Sequence, residues 1–451
     1  PRLLISAVGS GTGKTTVTAA LLSALCARGM RVQSLKCGPD YIDPMFHSHI
    51  TGRDCRNLDP FFSTGQDLRY LVGKDSQDVD FSVTEGVMGY YDGVGISCEK
   101  STWTVSKETG TPTILIFNVK GMSHTMIPLI KGMVEYQDNP IAGVILNRCS
   151  KGMYQLMKPE IEEKLGISVV GYFPQKEGIY IGSRHLGLMT AAEIDNLDEI
   201  LSLLGEMAEE CIDLDLLLEI GEKAEPLTAV KRPEVPAEKR AKIAVAWDKA
   251  FCFYYKENLE ILEQLGAELC YFSPVNDVQL PEGSDGIYLG GGYPETYRRE
   301  LAENVSMKES ICEAAKAGKP IIAECGGFMY VCNHLVETDA SSMDMLGLID
   351  TDVHMTKRLS MQFGYVTLNA LCDTAFFKKN TNIRAHEFHY SKADKRGDSC
   401  EIKKYSGKCW NGLYVKENIM AGYPHFYFHN CREVAERFVD MAEKISKNLS
   451  M

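Results

Sequence analysis

Leu3-Leu4-Ile5-Ser6-Ala7-Val8-Gly9-Ser10-Gly11-Thr12-Gly13-Lys14-Thr15-Thr16 opens the chain with an apolar β-rich run, a glycine-rich turn and the start of a helical pattern over residues 17–25. A turn of this composition lets successive backbone N–H groups point inward, and the helix that follows adds the positive end of its dipole. The segment is therefore built to hold phosphate. Lys14 is placed to reach β- and γ-phosphate oxygens, and the Thr15 hydroxyl to reach Mg²⁺. Gly9, Gly11, Gly13, Lys14, Thr15 and Thr16 are the expected ATP-binding positions. One position departs from the strict spacing, since Val8 stands six residues before Lys14 where a glycine is usual.

Outward from this loop, short apolar runs at 3–8, 113–117, 143–146 and 169–172 alternate with helix-length segments. Strands separated in this way need crossover connections, so a mostly parallel sheet is expected. Residues 222–241 carry three prolines, many charges and little apolar periodicity, and read as a linker. A second alternating series follows, with strands at 243–246, 269–272, 286–289 and 320–323 and helices at 254–265 and 305–317. The fold class is thus α/β in two domains, residues 1–221 and 242–451. No repeat of solenoid period and no low-complexity tract is present.

The 451 residues suit two or three domains of about 100–200 residues each. With 48 Lys+Arg against 61 Asp+Glu, the formal charge is −13. A field of that sign repels phosphate backbones and anionic headgroups, which excludes nucleic acid and membrane surfaces as expected partners. An anionic small molecule then needs a local cluster of N–H groups, lysine and Mg²⁺. The 15 cysteines are odd in number and include no C-x-x-C pair. They read as reduced thiols, which places the protein in the cytoplasm. No apolar stretch reaches the roughly 18 residues that a membrane helix requires.

Two further segments sit where strands should end, on the rim where open α/β sheets bind ligands. They are Lys36-Cys37-Gly38-Pro39-Asp40-Tyr41-Ile42-Asp43-Pro44 and Glu85-Gly86-Val87-Met88-Gly89-Tyr90-Tyr91-Asp92-Gly93. Gathering Asp40, Asp43, Glu85 and Asp92 is costly, because two like charges about 4 Å apart repel by about 4 kcal/mol at an effective dielectric of about 20. Mg²⁺ relieves that repulsion by bridging carboxylates to nucleotide phosphates. The competing reading is that Asp40 and Asp43 only cap turns beside Pro39 and Pro44.

In the second half, Pro320-Ile321-Ile322-Ala323-Glu324-Cys325-Gly326-Gly327-Phe328 runs a β-branched strand into a cysteine followed by two glycines. Small residues there permit a strained turn that projects the thiol and frees the next N–H for an oxyanion. Leu289-Gly290-Gly291-Gly292-Tyr293-Pro294-Glu295 is a second strand-ending turn suited to donate another N–H. The oxyanion set is then Gly291, Gly292 and Gly326. The base is sought downstream, where His425 competes with His386, His389 and His429.

Taken together and in this order, GSGTGKTT at 9–16, KCGPDYIDP at 36–44, EGVMGYYDG at 85–93, GGGYPE at 290–295, AECGGFMY at 323–330 and HEFHYS at 386–391 span nearly the whole chain. They closely resemble the cobyrinic acid a,c-diamide synthase family, glutamine-dependent amidases of cobalamin biosynthesis. The resemblance implies a P-loop domain like dethiobiotin synthetase joined to a class I glutamine amidotransferase domain. It implies Cys325 as glutaminase nucleophile and His425 as its base. Thr15, Asp43 and Glu85 are then the expected Mg²⁺ ligands, and Asp40, Asp43 and Asp92 the expected substrate positions. From its place on the rim Asp40-Tyr41-Ile42-Asp43 is expected to orient the substrate, and Arg184, in Ser183-Arg184-His185-Leu186-Gly187, is a candidate to meet its carboxylates. Asn147 sits where related P-loop folds contact adenine. In class I glutaminases a glutamate follows the base by two residues; Tyr427 stands there in this chain, so a Cys-His dyad is expected.

The chemistry so implied uses ATP to convert a substrate carboxylate to an acyl phosphate, while Cys325 releases ammonia from glutamine. Ammonia is expected to travel through the protein, because bulk water at neutral pH would protonate it. Amidation at the a and c side chains needs two cycles. Two same-chemistry alternatives stay open, nickel-sirohydrochlorin and hydrogenobyrinic acid, and a homodimer is the assembly left open. A rival of another class is a nucleotide-switched partitioning protein with a dead glutaminase domain. Those ATPases carry a second lysine at the loop start, where this chain has Gly9, and the turn at Cys325 is intact. Trp247, Phe251, Phe253, Tyr254 and Tyr255 read as core and interface packing and not as a stacking platform.

Overall fold

The computed structural model describes residues 1–176, 183–184, 187–188, 194, 196–228, 230–358 and 362–449. The chain divides into two compact units, Pro1–Arg232 and Pro233–Met451. Among the described residues no helix is long and apolar enough to cross a membrane.

The first unit is built on seven strands: β1 (Arg2–Ala7), β2 (Val32–Cys37), β3 (Arg56–Leu58), β4 (Phe81–Glu85), β5 (Thr113–Asn118), β6 (Ile141–Asn147) and β7 (Ser168–Phe173). They lie in the order β3-β2-β4-β1-β5-β6-β7, and every pairing is parallel. β1, β2 and β4 are buried along their whole length, as expected for strands covered by helices on both faces. Helix Lys14–Ala27 packs on helix Leu197–Cys211, where Gly205 comes so near Ser23 and Ala24 that a Cβ would sit 3.1 Å from Ser23 Cβ.

β1 lies between β4 and β5, so the chain crosses the sheet in both directions from the centre. Such a switch point opens a crevice at the carboxyl ends of the strands. The loops after β1, β2 and β4 all emerge there, and the phosphate loop, Asp40 with Asp43, and the residues after Glu85 share one rim.

Residues 223–228 and 230 belong to this unit by hydrogen bonding. Arg2 Nη2 donates to Glu225 O at 2.6 Å and Glu225 N to Gly110 O at 3.0 Å. Gln77 Nε2 donates to Val230 O. Charge and proline content mark this stretch as a linker in sequence, but they carry no trace of backbone groups paired to partners over a hundred positions away.

The second unit has a six-stranded sheet in the order Ala267–Phe272, Ala241–Ala246, Gly286–Leu289, Ile321–Glu324, Ile419–Gly422, Tyr414–Lys416. All pairs are parallel except the last. Phe251, Tyr254 and Tyr255 are buried, and Trp247 stacks on Tyr254 at the surface. Between Glu324 and Ile419 the chain adds two smaller sheets that the alternation of apolar runs does not reveal. One is antiparallel and joins Cys409–Gly412, Cys400–Lys404, Gly364–Ala370, Asn382–Glu387 and His425–Phe426. Its last pairing sets His425 opposite His386, which fixes the position of the imidazole relative to the main sheet.

Candidate active site

The phosphate loop adopts the turn its glycines permit. Gly11 and Gly13 have φ of 73° and 98°, a region that side chains resist, and Asn147 lies so close to Gly13 that a Cβ would clash with its amide. Thr12 Oγ1 donates to Gly9 O at 2.6 Å, and Asn147 Nδ2 donates to Thr12 O at 2.7 Å. Asn147 therefore braces the loop itself. Helix Lys14–Ala27 starts without a side-chain cap, leaving its first N–H groups for an anion. Thr16 follows, half-buried. Lys14 Nζ donates to Met88 O at 2.6 Å. Met88 has φ of 49°, a left-handed conformation uncommon for a non-glycine, and it turns that carbonyl toward the lysine. Burial, followed by the charge of Lys36, lowers the Lys14 pKa.

Beside the loop lies a buried charge cluster. Lys36 is the penultimate residue of β2, Glu85 ends β4, and Asp43 and His47 lie one turn apart on helix Ile42–Thr51. Lys36 Nζ is 2.5 Å from Asp43 Oδ2, 3.0 Å from Glu85 Oε1 and 3.6 Å from Asp40 Oδ2. Thr15 Oγ1 is 2.9 Å from Glu85 Oε1 and 3.2 Å from Asp43 Oδ2. His47 Nε2 holds the other Glu85 oxygen at 2.8 Å. Burial alone would lower the Lys36 pKa, but Asp43, Glu85 and Asp40 together hold it well above the ordinary value. Burial likewise opposes ionisation of Glu85, yet Lys36 and His47 keep its carboxyl below the usual carboxylate range. His47, disfavoured by burial, is pushed up to about 10 by hydrogen bonds with Cys55 and Glu85.

Asp40 has two roles. Its Oδ1 accepts from Ile42 N at 2.9 Å and Asp43 N at 3.2 Å, the capping part of the sequence reading, while Oδ2 faces Lys36. Asp43 makes no cap and points at Lys36 and Thr15. Tyr41 occupies the N-cap position and Ile42 the first helical turn. Asp92 accepts from Gly89 N at 2.8 Å and holds its own loop. Arg184 has its backbone in the two-residue strand Ser183–Arg184; its side chain, with residues 185–186, lies outside the described residues.

The Thr15 hydroxyl with the Asp43 and Glu85 carboxylates is a set of hard oxygen donors of the kind Mg²⁺ prefers. Among the described residues no group of three or more His, Cys, Asp or Glu could hold a metal on its own. Lys36 and His47 escaped the sequence reading. The signal for His47 was its i, i+4 spacing from Asp43 on a helix; for Lys36 it was a lysine next to the end of a short strand that runs into an acidic loop.

In the second unit Cys325 sits between strand Ile321–Glu324 and helix Gly326–Val331 at φ 47°, ψ −99°. That strain is held by Cys325 N donating to Gly422 O at 2.8 Å and by packing too tight for side chains. A Cβ on Gly326 would lie 2.9 Å from Gly292 N, and one on Gly291 would lie 2.5 Å from His425 Cε1. Cys325, Gly326, Gly291, Gly292 and His425 are thus brought together. Burial, then Glu295 and Glu387, pushes the Cys325 thiol up. Burial, then His386 and His389, pushes His425 down to about 3. Burial thus favours the neutral form of both groups. Among the competing histidines, His389 gives Nδ1 to Ser391 O at 2.9 Å and stacks on Tyr423, and His429 lies against Tyr427. Glu324 approaches the imidazole, with Oε2 3.9 Å from His425 Nδ1.

The comparisons with known proteins follow the same division. Residues 3–186 match the CobQ/CobB/MinD/ParA nucleotide binding domain, and residues 242–433 match the CobB/CobQ-like glutamine amidotransferase domain. A nucleotide-binding unit and a glutamine amidotransferase unit on one chain define a nucleotide-using, glutamine-dependent ligase. Over 449 residues the chain is 38% identical to the cobyrinate a,c-diamide synthase of Caldanaerobacter subterraneus, covering 98% of this chain and 99% of that one. It is 41% identical to the enzyme of that name from Clostridium tetani, covering 94% and 96%, and 36% identical to that of Thermoplasma volcanium, covering 99% and 98%. The chain belongs to the cobyrinate a,c-diamide synthase family.

If the Lys36 ammonium holds the carboxylates together, Lys36→Met destabilises the first unit by about 3–5 kcal/mol, the usual cost of stripping one partner from a buried ion pair. Adding Glu85→Gln should recover part of that loss. Urea unfolding of the single and double variants measures both; a Lys36→Met loss below about 1 kcal/mol contradicts the assignment.

Proposed function

We propose that this chain amidates the a and c side-chain carboxylates of cobyrinic acid, consuming ATP and glutamine in each of two cycles. The reading is carried by one observation, the presence on a single chain of a phosphate loop with its charge cluster and of a strained cysteine turn beside a buried histidine. The substrate follows from the names of the relatives that match over both units. Fifteen free thiols support a cytoplasmic setting.

In the first unit, the loop N–H groups and Lys14 receive the triphosphate, and an oxygen of the substrate carboxylate attacks the γ-phosphorus while ADP leaves. The resulting acyl phosphate carries a good leaving group in place of hydroxide. Lys36 and Lys14 offset the charge spread over the phosphoryl oxygens, an effect that is large in a site screened from water. Thr15, Asp43 and Glu85 would hold Mg²⁺, which supplies further neutralisation of phosphate charge when bound. Arg184 meets substrate carboxylates, and Asp40-Tyr41-Ile42-Asp43 orients the tetrapyrrole between cycles.

In the second unit, Cys325 attacks the side-chain amide carbon of glutamine as His425 takes the thiol proton. Both groups begin neutral, so proton transfer accompanies attack. The N–H groups of Gly292 and Gly326, set by the Gly291 turn, face the developing oxyanion; loss of one such donor costs about 3–4 kcal/mol of barrier. His425 then protonates the departing ammonia, and water hydrolyses the thioester to glutamate.

Two outcomes test this reading by product mass and glutamate release. Cys325→Ala should abolish glutamine-dependent amidation of cobyrinic acid and retain amidation from added ammonia, whereas Lys14→Ala should lose both; amidation from glutamine by the cysteine variant contradicts the assignment. Tyr41→Ala should alter the order or relative rate of the a and c amidations, and an unchanged order and rate removes the orienting role.

A further inference from the structure

Glu324 immediately precedes the nucleophile and is 2% exposed, as is His425. Its Oε2 lies 3.9 Å from His425 Nδ1 and accepts from the Tyr288 hydroxyl at 3.1 Å, while Oε1 accepts from Phe426 N at 3.2 Å. Asn258 ties this arrangement to the backbone on either side. Its Nδ2 donates to Phe426 O at 2.8 Å and to the Tyr288 hydroxyl at 3.3 Å, and its Oδ1 accepts from Phe428 N at 2.8 Å. Among the described residues His425 is the one ion-pair partner of Glu324. A carboxyl buried at that depth without lysine or arginine is costly, and two of its three side-chain contacts, the Phe426 amide and His425, lie on the segment that carries the base.

We propose that Glu324 is the positioning carboxylate of His425, filling from the nucleophile's own strand the part that a glutamate two residues after the base would play, where this chain has Tyr427. The inference rests on the reading of Cys325 and His425 as nucleophile and base. When ionised, Glu324 attracts a proton onto Nδ1 across the 3.9 Å that separates them, a gap that closes to a hydrogen bond as the imidazole takes charge, so the other ring nitrogen presents its lone pair to the Cys325 thiol. Once that nitrogen has taken the thiol proton, the imidazolium stands against a carboxylate. When protonated, Glu324 donates to Nδ1 and leaves the proton on the nitrogen that should face the thiol, which disarms the base.

Burial pushes the Glu324 carboxyl up to about 8, against the Phe426 amide and Tyr288 hydroxyl, which favour its charged form. Glutaminase turnover should therefore rise with pH as Glu324 ionises. The other titratable groups around this pair are Tyr254, Tyr288, Cys325, Cys431, His386 and His389. Because Tyr288 donates to Glu324, its removal should move the acid limb of the profile to higher pH.

The test uses the full chain with glutamine, ATP and cobyrinic acid, and follows glutamate release against pH together with amidation from added ammonia. Glu324→Gln should lower glutamine-dependent kcat by about 10²–10⁴-fold, in line with amide-for-carboxylate exchange behind a catalytic histidine. Its KM for glutamine and its ammonia-dependent rate should stay within about two-fold. Tyr288→Phe should keep the ammonia-dependent rate and shift the acid limb of kcat upward. A Glu324→Gln enzyme within about three-fold of the parent kcat, or a Tyr288→Phe enzyme whose profile does not move, overturns the proposal. The Tyr288→Phe profile decides the matter even if Glu324→Gln fails to fold. Glutaminase activity surviving in Cys325→Ala would instead overturn the reading on which the proposal rests.

Discussion

The buried ammonium of Lys36 is the interaction on which the first site depends. Three carboxylates, from the loop after β2, the helix that follows it and the end of β4, stand within 3.6 Å of it, and at such separations their mutual repulsion would drive these segments apart. With the lysine between them, the end of β2, the end of β4 and the first turn of helix Ile42–Thr51 are drawn to one point, and Thr15 joins through its hydroxyl. His47 completes the balance from the far side of Glu85. The phosphate loop is thereby fixed against the loops that would carry substrate. A buried charge network of this kind contributes little net stability over an apolar core; what it contributes is position.

The second unit solves a related problem with strain in place of charge. Cys325 is held at positive φ by a backbone hydrogen bond to Gly422 and by glycine contacts so close that no side chain fits. The five-stranded antiparallel sheet then brings His425 to the same place through its pairing with His386. Nucleophile and base come from segments a hundred residues apart. His425 lies in a strand and Cys325 in a one-residue turn clamped between a strand and a helix, and geometry of this precision is what general base catalysis requires.

Much of the fold was legible because its signals are local. Glycines before Lys14, β-branched residues before Cys325 and the spacing of apolar runs each act over a few residues, and most strands of the two main sheets follow from them; Arg56–Leu58, Tyr414–Lys416 and Ile419–Gly422 do not. The rest depends on partners distant in sequence. Lys36 and Glu85 meet only because β2 and β4 are neighbours in the sheet, and Glu324 reaches His425 only because Ile321–Glu324 pairs with Ile419–Gly422. The small sheets between Glu324 and Ile419 are short strands of mixed polarity, whose pairing no periodicity announces. The two readings of Asp40 and Asp43, turn cap or charge partner, were both legible; the structure divides them, with one Asp40 oxygen capping and Asp43 wholly in the charge cluster.

The central claim is that the first site transfers the γ-phosphoryl group of ATP to a substrate carboxylate before nitrogen arrives. Cobyrinic acid labelled with ¹⁸O in its a and c carboxylates, incubated with ATP, Mg²⁺ and glutamine, tests it directly through the mass of the inorganic phosphate released. The account predicts one ¹⁸O in phosphate for each amide formed. Amide formation with no ¹⁸O in phosphate would contradict an acyl phosphate and, with it, the role given to the phosphate loop and Lys36.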